Sequence, residues 1–445
     1  MKVLWLCNVM IPMIAEQLNL EGTNKEGWIS GMADMVLKNQ REHSVDLAVA
    51  FPAPRAMFPT GHDMCKRVLK IGDSTLNCYG FYEEVGRAEC YDQSLEKKLT
   101  EILEDAEPDI VHCFGTEYPH TLAMGRIIPD KKRLLIGIQG ICTLCAEAYF
   151  SDLPEKVIKM ATLRDHLRRD SLVEQQQKFV RRGIMEKEAV LLTGNIAGRT
   201  EWDCSWIRSL DKNICYFNMN ETLRPEFYGS MWEPDKCIPH SIFLSQGDYP
   251  IKGLHYMLLA MPAILSKYPD ATVYVAGNSI VGYSTLKQKL KISSYGKYLR
   301  KLMEENRLLD KITFLGKLDA EQMRDRYLKS SLFVCCSSIE NSPNSLGEAM
   351  LLGMPCVTAD VGGIPSLFTD GEDGIMYKGF RVGEDSSEEL KNVSRYLAEA
   401  VINMWSDPEK QKLYCANARQ HANQTHCRER NYGKLMEIYE EIISQ

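Results

Sequence analysis

The amino-acid sequence predicts an α/β fold made of two Rossmann-like domains, each with a parallel sheet covered by helices. The chain has 445 residues, which is more than one hydrophobic core supports. Short apolar segments alternate with helical stretches in both halves, an order typical of parallel sheets. A turn-rich stretch at residues 224–234 separates the two series. We therefore expect a first domain over residues 1–232 and a second over residues 233–427.

The strands are predicted from short apolar segments bounded by turn-forming residues. Those of the first half are 3–8, 45–51, 109–114, 133–138 and 189–194. Those of the second half are 241–245, 272–277, 311–316, 331–336, 355–359 and 374–377. Ligands of such sheets lie outside the carboxyl ends of the strands, and two facing domains create a cleft between them. We therefore look for functional residues just past the predicted strands.

Composition narrows the class of protein. Hydrophobic residues make up 44% and charged residues 25% of the chain, as in an ordinary globular protein. The net charge of −7 gives no general attraction to nucleic acid, so no nucleic-acid partner is expected. The 15 scattered cysteines suit a reducing compartment, and no apolar run approaches the ~18 residues that cross a bilayer. We therefore predict a cytoplasmic location.

Two glutamates eight residues apart, Glu340 and Glu348, stand on either side of a predicted helix start. The apolar strand 331–336 comes before them, and Ser342 with Pro343 is expected to supply an N-cap with proline at the first helical position. This order places Glu340 on the loop at the carboxyl end of a strand and Glu348 inside the helix. A pair of glutamates without further context is more often a solvated loop residue and a surface helix residue.

The helix start between the two glutamates can bind phosphate. Backbone N–H groups of a first helical turn have no partner inside the helix, and here they belong to Asn344, Ser345 and Leu346. Glu348 can accept hydrogen bonds from a ribose diol, and Glu340 can reach the hydroxyls of a sugar. The arrangement therefore suits a nucleotide sugar.

The stretch of chain from residue 337 to residue 365 resembles a known family. The order Glu348-Ala349-Met350, then Gly-Met-Pro at 353–355 and Val-Gly-Gly-Ile-Pro at 361–365, is similar to the E-x7-E signature of family 4 retaining glycosyltransferases with the GT-B fold. The resemblance implies two facing Rossmann-like domains with an interdomain cleft. It also implies that the second domain binds a nucleotide-sugar donor, that the first binds the acceptor, and that the terminal helix 428–445 packs on the first domain.

The resemblance assigns residues to the charge that develops on the leaving diphosphate. Lys252, followed by a glycine as in the family, is expected to contact the diphosphate together with the helix amides and to be catalytic with Glu340. The family generally carries an arginine five or six residues earlier, where this chain has Gln246 in the donor site. Either Lys252 and the amides suffice, or another basic residue such as Lys317 or Arg199 compensates.

In the first half the resemblance covers less. Gly27 matches a glycine of the loop that lies near donor phosphate and acceptor in the family, although a plain β-to-α turn explains it too. Gln139 is the third residue assigned to the catalytic set, because it stands where many relatives have a histidine near the donor sugar, although it cannot act as an acid or a base. Acceptor-side candidates are Glu117, His120 and Arg199, although a lone histidine is more often structural.

No cofactor or metal is predicted. The chain has no D-x-D triplet, which often holds a divalent ion on a diphosphate, and no phosphate-binding G-x-x-x-x-G-K-[ST] loop. A lone C-x-x-C at Cys142 and Cys145 lacks a second pair at zinc spacing. A retaining front-face mechanism needs no separate base, because the departing phosphate oxygen takes the proton of the acceptor.

Segment 156–187 holds nine Lys or Arg against four Asp or Glu, with Met160, Leu163 and Leu167 at helical spacing. This pattern predicts a basic amphipathic helix. It is interpreted either as a peripheral contact with the inner face of an anionic membrane or as a solvated helical insertion with an ordinary buried stripe.

These observations predict a retaining, metal-independent glycosyltransferase of the hexosyltransferase type. It would move a sugar from a nucleotide-sugar donor to a saccharide or a polyprenyl-linked glycan acceptor, in surface polysaccharide biosynthesis. A GT-B nucleotide-sugar epimerase and a catalytically silent sugar-nucleotide-binding scaffold are the alternatives. The presence of Glu340, Lys252 and Glu348 together favours the transferase over the scaffold.

Overall fold

The computed structural model describes residues 1–20, 27–40, 44–72, 74–282, 285–383 and 386–445, and it divides the chain into two compact units. Unit 1 consists of Met1–Leu144, Lys178–Arg224 and Thr425–Gln445, and unit 2 consists of Cys145–Gln177 and Pro225–Gln424. The sequence placed the boundary near residue 232 and all of the first half in one domain. The structure differs, because residues 145–177 fold with unit 2.

Within the described residues, the sheet of unit 1 has eight strands in the order β3-β4-β2-β1-β5-β6-β7-β8. Neighbouring strands run parallel except β3 and β4, which pair antiparallel as an edge hairpin. The strands are β1 Lys2–Cys7, β2 Asp46–Pro52, β3 Met64–Ile71, β4 Ser74–Phe81, β5 Ile110–Phe114, β6 Leu134–Gly137, β7 Asn195–Gly198 and β8 Cys215–Asn218.

The sheet of unit 2 has six strands within the described residues, in the order β11-β10-β9-β12-β13-β14, and all neighbours are parallel. The strands are β9 Ile238–Leu244, β10 Thr272–Val275, β11 Ile312–Phe314, β12 Ser330–Cys335, β13 Cys356–Asp360 and β14 Ile375–Lys378. Every residue of β12 is buried, as expected for a central strand that helices cover on both faces.

Helices cover the two sheets. In chain order they are α1 Pro12–Gln17, α2 Gly27–Lys38, α3 Ser94–Ala106, α4 Pro119–Ile127, α5 Cys142–Glu147, α6 Glu155–Ile158, α7 Leu163–Arg168, α8 Leu172–Leu191, α9 Glu201–Leu210, α10 Leu254–Lys267, α11 Leu286–Lys291, α12 Ser294–Glu305, α13 Ala320–Lys329, α14 Asn344–Leu352, α15 Ser386–Ser406, α16 Pro408–Thr425 and α17 Arg428–Ser444. None of the described helices has both the length and the apolar composition that crossing a membrane requires.

The terminal helix α17 belongs to unit 1, the domain on which the sequence placed it. Its Tyr439 is fully buried, and the hydroxyl accepts a hydrogen bond of 2.8 Å from Trp5 Nε1 on β1. The same hydroxyl lies 2.8 Å from Nδ1 of His112 on β5. Tyr432, Leu435 and neighbouring apolar residues of α17 bury the rest of that face. The helix is therefore part of the unit 1 core.

The chain reverses direction across each sheet at one strand pair. In unit 1, β1 lies between β2 and β5, and in unit 2, β9 lies between β10 and β12. At such a switch point the loops at the carboxyl ends of the two strands leave toward opposite faces and open a crevice. The β1/β5 edge and the β9/β12 edge are therefore where ligand sites are expected.

One predicted strand is wrong. Segment 189–194 does not form a strand, because Ala189–Leu191 end helix α8 and strand β7 begins at Asn195. A short apolar run does not distinguish a strand from the buried end of a helix. Strands β3, β4 and β8 were not predicted, and the other predicted strands agree with the structure to within a few residues.

Segment 156–187 is not one amphipathic helix. It folds as α6, α7 and most of α8, because the capping box of Thr162 and Asp165 starts α7, and Arg169 ends it in the left-handed region at φ 49°. Leu163 and Leu167 do not form a buried stripe, since they are 58% and 77% exposed.

Candidate functional site

The β9/β12 edge of unit 2 holds a lysine–glutamate pair. Lys252 lies past β9, at the end of a 3-10 turn, and Glu340 lies on the loop after β12. Lys252 Nζ donates to Glu340 Oε1 at 2.6 Å, and Ser337 Oγ donates to the same oxygen at 2.7 Å. The side chains are only 19% and 15% exposed. The structure thus brings together two of the three residues that the sequence predicted to be catalytic.

Glycines make this approach possible. Gly253 has φ 72°, and a Cβ there would lie 1.8 Å from the carbonyl oxygen of Cys336, so only glycine lets the two loops meet. A Cβ on Gly362 would lie 2.0 Å from the carbonyl oxygen of Glu340, and the neighbouring Gly363 amide donates to that oxygen at 2.9 Å. Both glycine motifs noted in the sequence therefore hold the pair in place.

The electrostatics of the pair favour a charged lysine. Burial lowers the pKa of the Lys252 ammonium, but the charge and the hydrogen bond of Glu340 outweigh it and hold that pKa above its ordinary value. Glu340 Oε2 accepts no hydrogen bond from the described residues. The pair therefore presents a fixed positive charge together with a carboxylate oxygen that can accept from a hydroxyl.

Helix α14 begins beside this pair, one residue later than predicted. Pro343, in extended conformation, takes the N-cap position and no side chain caps the helix, so Ser342 is not the N-cap. The prediction of three unpaired amides was wrong for Leu346, whose amide donates to the Pro343 carbonyl at 2.9 Å. The amides of Asn344 and Ser345 find no partner among the described residues, nor does the buried Oδ1 of Asn344.

Glu348 lies in the second turn of α14 and is only 3% exposed, so it is not a surface helix residue. The hydroxyl of Tyr327 donates to the Ser345 carbonyl at 2.9 Å and stands 3.5 Å from Glu348 Oε2. Gly353 ends the helix in the left-handed region at φ 69°, as the sequence predicted. The connection from β12 to α14 therefore carries a buried carboxylate and two available amides, and the connection from β9 to α10 carries a lysine.

The remaining donor-side candidates are Gln246 and Lys317 in unit 2 and Gly27 in unit 1. Gln246 is half-buried two residues past β9, and Lys317 is exposed past β11. Strand β11 is the edge strand, three strands from β12, which amounts to roughly 14 Å across the sheet. Gly27 opens helix α2, and the preceding loop residues 24–26 lie outside the described residues.

The β1/β5 edge of unit 1 carries a different cluster, centred on Glu117. Its Oε1 accepts from the Gly140 amide at 3.1 Å and its Oε2 from Asn8 Nδ2 at 3.3 Å. Gly115, at φ 97°, leaves room for this carboxylate, since a Cβ there would lie 2.1 Å from Oε2. Gln139 precedes Gly140 on the loop after β6. Glu117 therefore connects three neighbouring strand ends.

His120 lies inside unit 1 and has hydrogen-bond partners at both ring nitrogens. It is fully buried, with Nδ1 2.6 Å from Glu83 Oε2 and Nε2 3.0 Å from Asn8 Oδ1. Asn8 in turn donates to Glu117, so a hydrogen-bonded chain runs from Glu83 to Glu117. His120 can therefore orient Glu117 through Asn8, but it cannot itself touch a substrate. Asn8 was not predicted from the sequence, although its place directly after β1 was a usable signal.

A second buried carboxylate, Glu186, lies close to Glu117. It accepts hydrogen bonds from the Thr116 hydroxyl at 2.8 Å, the Cys142 amide at 2.9 Å, and the amide and hydroxyl of Thr143 at 3.0 and 3.1 Å. Burial raises the pKa of Glu186 to about 7, with a further contribution from Glu117, and the donors oppose this shift. Sequence reasoning had no signal for it, because it lies inside helix α8.

Arg199 is buried in unit 1 rather than exposed to an acceptor. It is 7% exposed, forms an ion pair with Glu221, and donates through Nη2 to the carbonyl of Ile138 at 2.7 Å. That carbonyl precedes Gln139, so Arg199 supports the loop that carries Gln139. Its charge is balanced inside unit 1.

No group of three or more His, Cys, Asp or Glu residues is placed to hold a metal ion in the part of the chain that the structure describes. Metal independence stays a prediction, because a diphosphate can itself supply ligands to a metal.

The comparisons with known proteins agree with this arrangement. Residues 240–421 match the family described as "Glycosyl transferases group 1". Spore coat protein SA of Bacillus subtilis (strain 168) is 26% identical over 191 residues, 43% of this chain and 46% of that protein. Phosphatidyl-myo-inositol mannosyltransferase of Propionibacterium freudenreichii is 27% identical over 176 residues, 39% of this chain and 37% of that protein. The chain thus spans less than half the length of these curated relatives.

Solved structures are similar over the whole chain. Anabaena Alr3699/HepE in complex with UDP and glucose has a TM-score of 0.63 at 15% sequence identity, covering 99% of this chain and 100% of that one. This likeness shows the fold, which is the GT-B arrangement of two α/β domains with mainly parallel sheets. The match at residues 240–421 supports a glycosyltransferase domain in the second half of the chain.

Proposed function

We propose that this protein is a family 4 retaining glycosyltransferase, which moves a sugar from a nucleotide-sugar donor to a saccharide or lipid-linked acceptor in surface polysaccharide biosynthesis. One observation carries the proposal. The Lys252–Glu340 pair lies at the β9/β12 switch point, where helix α14 begins with two available amides and holds Glu348 in its second turn. These are the groups that a diphosphate, a sugar and a ribose need.

Each part of the donor has a partner in unit 2. The diphosphate takes the amides of Asn344 and Ser345 and the charge of Lys252. The ribose diol donates to Glu348, and a sugar hydroxyl donates to Glu340 Oε2. UDP-sugars are the first donors to test, since a structurally similar protein binds UDP and glucose.

The proposed sugar transfer needs neither a metal nor a separate base. The bond between the anomeric carbon and the phosphate oxygen breaks, and the acceptor oxygen bonds to that carbon on the same face. The acceptor proton passes to the departing phosphate oxygen. Lys252 and the helix amides stabilise the charge on the leaving diphosphate, a contribution worth roughly 3 kcal/mol per well-placed donor in comparable sites.

Glu117 is the proposed contact of unit 1 with the acceptor. Its carboxylate is half-buried and is oriented by Asn8 and Gly140, so it can accept a hydrogen bond from an acceptor hydroxyl. A polyprenyl-linked glycan would place the protein peripherally on the inner face of a membrane. A catalytically silent sugar-nucleotide-binding protein is the second candidate, favoured by the neutral residues Gln246 and Gln139 where relatives carry titratable ones.

Thermal unfolding with nucleotides tests the donor site. The purified protein is melted with UDP, GDP, ADP and the corresponding sugar nucleotides, with and without EDTA. A ligand at 100 times its dissociation constant stabilises by about 2.7 kcal/mol. We expect a nucleotide-selective rise in melting temperature that survives EDTA, disappears in Glu348→Ala and persists in Glu399→Ala, an exposed glutamate of α15. No rise with any nucleotide would contradict the donor site.

Product analysis separates the transferase from the silent protein. With the stabilising sugar nucleotide, NMR of the released sugar should show slow turnover with the donor's anomeric configuration retained. Glu340→Ala should lower this turnover more than it lowers affinity for the free nucleotide, because Glu340 is assigned to the sugar. Binding without turnover, with every acceptor offered, would favour the silent protein.

A further inference from the structure

Two short helices of unit 2 expose leucines to solvent. In α7, Leu163 and Leu167 are 58% and 77% exposed, and in α11, Leu286 and Leu290 are 79% and 57% exposed. Both pairs have the spacing i, i+4, so each pair lies on one face of its helix. We call these four leucines and the basic residues beside them the leucine surface. Exposed apolar patches are typical of contacts with membranes or other proteins.

The two helices are fixed to each other. They pack together, and the hydroxyl of Thr162 donates to the carbonyl of Ile292, the residue after α11, at 2.8 Å. Asp165 of α7 is fully buried and accepts from the amide of Ser294, the first residue of α12, at 2.9 Å. The same carboxylate caps α7 at Thr162. The leucine surface is therefore one built feature rather than two independent turns.

The charge around the leucines is positive. Arg168, Arg169 and Lys291 are exposed, and no partner for them is seen among the described residues. The acidic residues of segment 155–170 already have partners. Asp165 is buried against α12, Asp170 pairs with Arg164 at 3.1 Å, and Glu155 pairs with Lys159. The surface thus combines apolar side chains with uncompensated cations.

We propose that the leucine surface docks unit 2 onto an anionic lipid bilayer. The leucines enter the boundary between headgroups and acyl chains, and Arg168, Arg169 and Lys291 contact the lipid phosphates. This assigns the contact to α7 and α11 and not to a continuous helix over 156–187. The inference deepens the proposed function and rests on it for the lipid-linked acceptor.

Charge complementarity favours a bilayer over a second copy of this chain. The surface is positive, and two copies that met through it would bring Arg168 and Arg169 of each near those of the other. The net charge of −7 gives no attraction to an anionic bilayer except where cations are concentrated. A short apolar face flanked by lysine and arginine matches the composition of interfacial helices.

Vesicle sedimentation tests the proposal on the full-length protein. The probes are vesicles of phosphatidylcholine alone and of phosphatidylcholine with 30% phosphatidylglycerol. We expect at least 10-fold more binding to the anionic vesicles at low salt, and a marked loss at 0.5 M salt, where charges are screened within about 4–5 Å. Equal binding to both vesicles, or none to either, would overturn the proposal.

Paired variants locate the contact. Leu163→Ser/Leu167→Ser and Leu286→Ser/Leu290→Ser should each weaken anionic-vesicle binding about 10-fold, and Arg168→Gln/Arg169→Gln should remove most of its salt dependence. The control is Leu413→Ser on α16, since Leu413 is also 58% exposed. Its binding should stay within twofold of the wild type. Unchanged binding in both leucine variants would reject the surface.

Two further readouts keep the outcomes distinct. All variants should keep the wild-type melting temperature and nucleotide response, because the changed side chains are exposed. Sedimentation velocity in solution should show no self-association that the leucine variants remove, and such self-association would assign the surface to a second copy instead. A protein that binds vesicles but no nucleotide would refute the proposed function alone, and the reverse would refute the docking surface alone.

Discussion

The two switch points of this molecule have the same topology and opposite chemistry. At the β9/β12 edge of unit 2, a charged lysine and two available helix amides accompany the carboxylates of Glu340 and Glu348. At the β1/β5 edge of unit 1, Glu117 and Glu186 lie together and their donors come from the protein itself. The fold supplies a crevice in both places, but the side chains decide what can bind there.

This contrast suggests a division of labour. A diphosphate needs positive charge and N–H donors, which unit 2 offers and which the carboxylates of unit 1 would repel. An uncharged saccharide hydroxyl needs an acceptor held in a fixed position, which Glu117 offers. The relay from Glu83 through His120 and Asn8 fixes that position. Variants in the two units should therefore have separable effects on nucleotide binding and on transfer.

Removing the buried carboxylate of unit 2 should have the largest effect on nucleotide binding. Glu348→Ala should weaken the affinity for the preferred nucleoside diphosphate at least 100-fold by calorimetry, because the ribose diol loses its acceptor in a buried site. Glu117→Ala in unit 1 should change that affinity less than twofold. If Glu117→Ala weakened nucleotide binding as much as Glu348→Ala, the division of labour would be wrong.

The complementary variant is Glu117→Gln, which should lower kcat/KM for transfer about 100-fold while leaving nucleotide affinity unchanged. Glutamine offers one acceptor oxygen instead of two, so it cannot keep both Gly140 and Asn8 and also accept from a hydroxyl. Steady-state kinetics with varied acceptor measure the change. Glu104→Gln, an exposed residue of α3, serves as the control. Full transfer activity in Glu117→Gln would remove the acceptor role.

The sequence predicted the unit 2 site better than the unit 1 site for a physical reason. Glu340, Glu348 and the helix start lie within a dozen residues, so local capping and strand signals place them together. The errors there were local too, since Pro343 instead of Ser342 takes the N-cap and the Leu346 amide is already bonded. Asn8, Glu83 and Glu186 come together only through the sheet, over separations that no local pattern encodes.

The same distinction explains the fold. Buried parallel strands such as β1 and β12 are mostly apolar, and they were predicted from the sequence. Strand β3 is an edge strand in which no residue is buried and lysine and arginine interrupt the apolar residues, so it lacked a continuous apolar run. The run at 189–194 was apolar because it closes α8 against the sheet. Whether a segment forms an edge strand or the end of a helix depends on tertiary contacts, which a short stretch of sequence does not reveal.

Breaking the Lys252–Glu340 pair should reduce stability as well as activity. Lys252→Met leaves the Glu340 carboxylate largely buried without its partner and should lower the free energy of unfolding by ~2 kcal/mol. Glu340→Gln should cost less, and the double variant should cost less than the sum. Denaturant unfolding gives the coupling energy. The control is the exposed pair Arg395–Glu399 of α15, whose coupling should stay near ~0.4 kcal/mol. Equal coupling in the two pairs would show that partial burial adds nothing at the candidate site.

The smallest predicted effect is on pH dependence, and it should occur separately in each unit. Burial lowers the pKa of His112 in unit 1 to about 3 and that of His255 in unit 2 to about 4. Both folded-state pKa values lie below the unfolded value near 6.5, so the stability they contribute is complete above pH 6.5 and is lost as pH falls toward the folded pKa. Each histidine costs up to ~1.4 kcal/mol per pH unit in that window.

Hydrogen exchange at pH 7, 6 and 5, corrected for its intrinsic pH dependence, measures the protection of backbone amides in each unit separately. His112→Asn should reduce the pH-dependent loss of protection in α17, where Tyr439 contacts His112 at 2.8 Å, and leave α10 unchanged. His255→Asn should do the reverse, since His255 lies on α10 and contacts the Ser151 carbonyl at 2.8 Å. If either variant flattened the pH response of both units, acid would destabilise them as one cooperative body. The two units would then differ in the chemistry of their switch points but would not unfold independently.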